Sequence, residues 1–87
     1  MTMNQLRPGR AGTVAALLPG SADTAALLRL GLFPGAEVRC LRVSPLGDPR
    51  IYLLRGAVFA IRNRDAAAVR LVPEAETFLS DAGRQAR

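Results

Sequence analysis

The stretch between residues 38 and 54 constrains the fold more than any other part of the chain. Two apolar runs, residues 38–43 and 51–54, flank the loop Ser-Pro-Leu-Gly-Asp-Pro-Arg. This cluster of residue types is typical of a tight reversal, because Gly47 accepts a positive φ and Pro49 lacks an amide donor. The carboxylate of Asp48 is expected to accept hydrogen bonds from backbone amides within the turn. The pattern predicts a β-hairpin, and turn chemistry by itself accounts for these residues without any further function.

Alternating and β-branched segments predict three further strands besides the two of this hairpin. With the hairpin included, strands are expected at residues 10–18, 36–43, 50–54, 57–61 and 68–72. In the second of these both faces carry apolar residues, so its alternation does not specify one buried face. Five short strands in so small a chain favour a closed β-barrel, because closure removes exposed sheet edges.

One helix is expected at residues 21–30, over an open end of the barrel. Ser21 or Asp23 is a suitable N-cap, and Gly31 is a suitable left-handed residue for its C-terminus. Leu6 is expected to be a core anchor, whereas residues 1–5 are expected to fray. Beyond the strands, residues 74–87 are expected to form a tail that is either a short helix or disordered.

The composition favours one folded domain and excludes several classes of function. The chain has 87 residues and a net charge of +5, but all its basic residues are scattered arginines, which indicates compositional bias rather than a nucleic-acid patch. No segment has the length of a membrane span or the pattern of a signal peptide, and the one cysteine, Cys40, fits a reducing compartment. We therefore expect a cytoplasmic protein.

The residues needed for common catalytic and metal sites are missing from the sequence. There is no histidine, so an imidazole metal site or a histidine base for a nucleophile cannot be built. Cys40 is most simply a small buried hydrophobe, and the carboxylates show no ligand spacing. No Gly-Lys-Ser/Thr phosphate loop occurs. We expect no enzyme activity, no cofactor and no metal site.

Four motifs in order resemble those of the FeoA family. They are Leu-Arg-Pro-Gly at 6–9, Leu-Leu-Arg-Leu-Gly-Leu-Phe-Pro-Gly at 27–35, the loop at 44–49, and Arg-Gly at 55–56 followed by Phe-Ala-Ile-Arg at 59–62. Each motif alone is weak, but four in the right order are fairly specific. The resemblance runs from about residue 6 to residue 72.

This resemblance implies a small SH3-like β-barrel of about five strands with one capping helix. It divides the chain into a domain at residues 1–73 and a tail at 74–87. It implies a non-catalytic accessory protein of bacterial ferrous iron uptake, acting as a protein-binding module on the cytosolic side of the FeoB transporter. The alternatives are a small basic barrel that binds nucleic acid and a metal-responsive regulatory domain related to DtxR-type repressors. Nucleic acid is not the expected partner, and the sequence leaves a homo-oligomer open.

The expected partner-binding surface joins the junction after the helix to the central loop. Both segments place apolar residues in turns, which is unusual unless another surface covers them. The residues assigned to this surface are Leu32, Phe33, Leu46, Gly47, Asp48 and Pro49. The alternative is that Leu32 and Phe33 belong to the core and that Leu46 plugs the barrel.

The sequence departs from the family pattern beside this surface. Ala26 stands where an arginine is common, Arg50 where an aliphatic residue is common, and Ile51 where a polar or acidic residue is common. An unpaired arginine should not be buried on an alternating strand. We therefore expect Arg50 either at the barrel rim or beside a strand bulge.

Overall fold

One antiparallel sheet organises the chain, as described by a computed structural model over residues 1–20 and 23–74. Its strands are β1 (Ala11–Leu17), β2 (Glu37–Val43), β3 (Arg50–Leu54), β4 (Ala57–Ile61) and β5 (Val69–Pro73). The strand order is β4-β3-β2-β1-β5, and each neighbouring pair is antiparallel. The predicted mostly-β class with five strands is confirmed. Within the described residues, β4 and β5 are the two ends of this order and are not hydrogen-bonded to each other, so the predicted closure of the sheet is not observed there.

The principal helix, α1 (Thr24–Leu30), precedes β2 and begins later than the sequence pattern predicts. Asp23 is its N-cap, because its carboxylate accepts a hydrogen bond from the amide of Ala26 at 3.1 Å. Gly31 closes the last turn with a φ of 108°, as predicted. The other proposed cap, Ser21, lies outside the described residues.

The N-terminal segment is built into the core, so the prediction that it frays is wrong. Met3–Gln5 forms a short 3-10 helix, and the side chain of Met3 is fully buried. The hydroxyl of Tyr52 donates a hydrogen bond to the Met3 carbonyl at 3.0 Å. The amide of Leu71 in β5 also donates to the Met1 carbonyl at 2.8 Å. The segment therefore covers the outer edge of β5, which propensity alone does not indicate.

The core is a single cluster of apolar side chains from the strands, α1 and the N-terminal segment. Its largest fully buried members are Tyr52, Met3, Leu6, Leu32, Leu54, Val14, Val38, Val69 and Cys40. Cys40 is thus the buried hydrophobe that the sequence predicts. Burial raises the pKa of Tyr52 to about 12, and the nearby Arg50 cation partly opposes that shift.

A bulge in β2 explains why its alternation could not be assigned to one buried face. Cys40 pairs with Tyr52 of β3, but Arg42 pairs with the next residue, Ile51, so Leu41 is an extra residue on β2. Leu41 and Arg42 are both exposed as a result. The side-chain period of two is broken at this position.

After β4 the chain makes one turn of helix, α2 (Asn63–Ala66), before β5. Beyond β5, Glu74 continues the pairing with β1: its amide donates to the Ala11 carbonyl at 3.0 Å, and its carboxylate accepts from the Ala11 amide at 2.8 Å. Glu74 is therefore anchored to the domain. The rest of the predicted tail, residues 75–87, lies outside the described residues.

Candidate protein-docking surface

The loop at residues 44–49 joins β2 to β3 as the predicted tight reversal. The amide of Gly47 donates to the Ser44 carbonyl at 2.7 Å, and the amide of Ser44 donates to the Pro49 carbonyl at 3.2 Å. Gly47 has a φ of 88°, a conformation that residues with a Cβ adopt only at a cost. The peptide bond between Asp48 and Pro49 is cis. The loop thus has a defined internal structure.

Asn63 at the start of α2 ties this loop to the rest of the domain. Its backbone amide donates to the Asp48 carboxylate at 2.8 Å, and its side-chain amide donates to the Gly47 carbonyl at 2.8 Å. The prediction that Asp48 accepts bonds from amides within its own turn is wrong, because the carboxylate is turned towards α2. Two hydrogen bonds therefore hold the loop against a segment about 15 residues further along the chain.

Leu46 projects from the tip of this loop into solvent. Its side chain is 95% exposed, more than any other large apolar residue among those described. Leu46 therefore does not plug the barrel. A leucine exposed on a hydrogen-bonded frame is a candidate anchor for another protein, because burying it in a partner would remove its apolar surface from water.

The other half of the predicted surface divides between core and solvent. Leu32 is fully buried, so its assignment to an exposed partner surface is wrong: the chain turns inward after Gly31 and places Leu32 in the core. Phe33 is 39% exposed, and the Arg55 guanidinium carbon lies 5.3 Å from the centre of its ring. This contact has the geometry of a cation–π interaction.

Phe33 and the Leu46 loop do not lie together. Phe33 contacts Arg55, which directly follows β3, whereas the loop directly precedes β3. The five residues of β3 separate them by roughly 16 Å at about 3.3 Å per residue. The predicted surface is therefore two separate exposed points, one at each end of the β3–β4 hairpin.

Arg50, the most unusual residue beside the loop, makes no ion pair with any other residue among those that the structure describes. Its guanidinium donates to the Leu6 carbonyl, so this half-buried cation is bonded to the N-terminal segment. The adjacent bulge lies in β2 rather than in the strand of Arg50. Neither Asn63 nor Leu6 could be linked to the loop from the sequence, because each contact joins residues far apart in the chain.

The described residues contain no cluster of side chains that could hold a metal ion. In residues 1–20 and 23–74, no group of three or more histidine, cysteine or acidic side chains could hold a metal ion. None of the helices in these segments is long and apolar enough to cross a membrane. The fold defines a small mostly-β domain, and its distinctive surface feature is the exposed leucine, Leu46, at the tip of the loop.

Comparison with known families identifies the chain more closely. The family model described as the FeoA domain matches residues 1–73, and the chain belongs to this family. A search of curated proteins finds no match.

Solved structures of FeoA proteins share the fold. The iron(II) transport protein A from Clostridium thermocellum is 27% identical, with a TM-score of 0.76; the match covers 82% of this chain and 44% of that one, so this chain spans less than half of that protein. FeoA from Stenotrophomonas maltophilia, complexed with zinc, is 26% identical with a TM-score of 0.74, covering 83% of this chain and 89% of that one. It is described as a prokaryotic SH3 domain protein, which confirms the SH3-like fold class.

Likeness to a regulator extends to the fold alone. A manganese-dependent transcriptional repressor is 19% identical, with a TM-score of 0.71 over 85% of this chain and 41% of the repressor.

Proposed function

We propose that this chain is a non-catalytic accessory protein of bacterial ferrous iron uptake that binds the cytosolic side of an FeoB-type transporter. Membership of the FeoA domain family supports this proposal. So do the names of its relatives, one an iron(II) transport protein and one a candidate ferrous iron transport activating factor. Ferrous iron is the transporter's cargo in this scheme, and the chain acts on the transporter rather than on the ion.

The observation that carries the proposal is the exposure of Leu46 on a braced loop. Transfer of a leucine side chain from water into an apolar pocket is worth about 1.5–3 kcal/mol. The bonds from Asn63 to Gly47 and Asp48 fix the loop before binding, so less conformational entropy is lost on association. The proposed contact is therefore a leucine anchor with Gly47 and Pro49 beside it, while Asp48 positions the loop.

The nucleic-acid alternative has less support from the described aromatic residues. Tyr52 is fully buried, and Phe59 packs against the core. Of the described aromatics only Phe33 is classed as exposed, at 39%, and it already contacts Arg55. Barrels that bind single strands use several exposed aromatics as stacking platforms.

The experiment is a binding titration between the purified full-length chain and the cytosolic domain of the FeoB-type transporter from the same organism. We expect saturable binding that Leu46→Ser weakens by about tenfold, equivalent to about 1.4 kcal/mol. Val72→Ser is the matched control, because Val72 is also an exposed aliphatic residue, 61% exposed, but lies on β5. Equal loss of affinity in both variants, or no binding by the wild type, would contradict the proposal.

A further inference from the structure

The β4 strand has an open hydrogen-bonding edge. In the described part of the chain it pairs with β3 and has no backbone hydrogen bond to any other element. A two-residue turn, Arg55 and Gly56, makes Leu54 and Ala57 the first hydrogen-bonded pair of this hairpin. Because bonded and non-bonded pairs alternate, the amides and carbonyls of Val58 and Ala60 point away from β3. These groups are free to pair with another strand.

This edge lacks the features by which sheet edges are usually protected. β4 contains no proline and no charged residue, and its register with β3 runs without a bulge. Val58 is 61% exposed, and Ala60 is also exposed. The opposite edge of the sheet, on β5, is partly covered, because the Met1 carbonyl accepts a hydrogen bond from the Leu71 amide. The open edge is therefore particular to β4.

Positive charge flanks β4 at both ends. Arg55 lies just before it, and Arg62 and Arg64 lie just after it, all three exposed. Among the described residues, neither Arg62 nor Arg64 takes part in an ion pair or a side-chain hydrogen bond. A second copy paired antiparallel about Phe59 would bring Arg55 of each copy close to Arg62 and Arg64 of the other, which is unfavourable. A strand with acidic ends would instead match this charge pattern.

We propose that the β4 edge binds an extended peptide segment with an uncharged β-prone centre and acidic residues at both ends. The segment adds a sixth strand, with main-chain bonds to Val58 and Ala60 and ion pairs to the flanking arginines. Phe33 and Leu46 lie at the two ends of the β3–β4 hairpin, so one strand along β4 passes between them. The binding of such a segment would be part of the proposed function. It rests on that function only in one respect, namely that the transporter is the protein that supplies the segment.

The test uses a synthetic peptide, so that it does not depend on the transporter. The probe is a blocked peptide of alternating threonine and valine with an Asp-Glu pair at each end, and its control has a lysine pair at each end. Backbone amide NMR of the full-length chain should show slowed exchange at Val58 and Ala60 with the acidic probe. We expect affinity for the acidic probe to exceed that for the lysine probe by at least about tenfold.

Substitutions in β4 separate main-chain pairing from simple contact. Val58→Pro removes one outward amide without removing a bond to β3, and it should weaken probe binding by about tenfold. Val58→Thr keeps the amide and the β-branched shape, so its affinity should stay within about twofold of wild type. Arg62→Glu should also lose about tenfold, whereas Arg70→Glu on β5 should not. The comparison of Arg62→Glu with Arg70→Glu tests the proposal even if the Val58→Pro variant does not fold.

Other results would overturn the proposal. Equal binding of both probes, or equal effects of Val58→Pro and Val58→Thr, would exclude a main-chain site with acidic preference. A wild-type dimer by sedimentation that Val58→Pro dissociates would assign the edge to a second copy. Tighter probe binding after Phe78→Asn and Leu79→Asn substitution would assign it to the chain's own residues 75–87. Transporter binding that survives Val58→Pro but not Leu46→Ser would leave the proposed function standing and refute this edge as its contact.

Discussion

Replacing Tyr52 with phenylalanine tests the anchoring of the N-terminal segment. The Tyr52 hydroxyl lies 3.0 Å from the Met3 carbonyl oxygen, and both side chains are fully buried. Tyr52→Phe removes one of the two donors to that carbonyl, since the Leu6 amide also donates to it at 3.1 Å, and the loss should destabilise the domain by about 1–2 kcal/mol at neutral pH. For a chain of this size the melting temperature should fall by roughly 5–15 °C.

The same variant should change how stability depends on alkaline pH. Burial raises the pKa of Tyr52 in the folded state to about 12, above a value of about 10 in the unfolded chain. The protonated hydroxyl of Tyr52 therefore contributes a stabilisation of the folded state that is fully present below pH ~10. It is lost as the pH rises towards ~12, because the unfolded state releases the proton first. A shift of about two units corresponds to about 2–3 kcal/mol. Tyr52→Phe should lack this component.

Urea unfolding between pH 8 and roughly pH 11.5 measures both effects. Tyr52 is the chain's only tyrosine, so ultraviolet absorbance can follow its ionisation without interference. The wild type should lose stability more steeply than Tyr52→Phe above pH ~10. A folded-state ionisation midpoint near ~10, or identical pH profiles for the two proteins, would refute the burial of the Tyr52 hydroxyl.

Three further substitutions test the core and the loop. Leu32→Ala should lower the free energy of unfolding by about 2–5 kcal/mol in urea titrations, because Leu32 is fully buried; a loss under about 1 kcal/mol would place it at the surface. Asn63→Ala removes the bond to the Gly47 carbonyl, so it should cost about 1 kcal/mol in the same assay and weaken transporter binding severalfold. Gly47→Ala should cost about 1–2 kcal/mol through its positive φ alone, because no atom lies within 4 Å of the added Cβ. A neutral Gly47→Ala in thermal melts would mean that the loop adopts another conformation.

Local patterns in the sequence predicted most of the sheet but not its long-range ties. The hairpin between β2 and β3 is predictable because Pro, Gly and Asp act within a few residues of their own positions. The anchoring of Met3 is not predictable in this way, because its carbonyl is bonded to the hydroxyl of Tyr52, 49 positions away in the chain. The β2 bulge likewise follows from pairing with β3, which β2 alone does not reveal.

The candidate site was predictable to the same extent. The exposure of Leu46 follows from its place at the tip of a tight loop, and the structure places it there. Leu32 also has a Gly and a Pro within three residues, yet it is fully buried, because the chain turns inward after the left-handed Gly31 that ends α1. The hydrogen bond from Asn63 to the loop could not be predicted from the sequence, because an asparagine that follows a strand is ordinary in turns.

The most direct test of the docking surface measures stability and transporter binding together for Leu46→Glu. Leu46 is 95% exposed, so the variant should melt within a few degrees of the wild type. Its affinity for the transporter's cytosolic domain should fall by more than about tenfold, because a charge would enter a desolvated contact. Val72→Glu, an equally polar change on β5, should alter neither quantity appreciably. A melting temperature lowered by about ten degrees or more would make Leu46 a core residue, and unchanged binding would remove it from the partner surface.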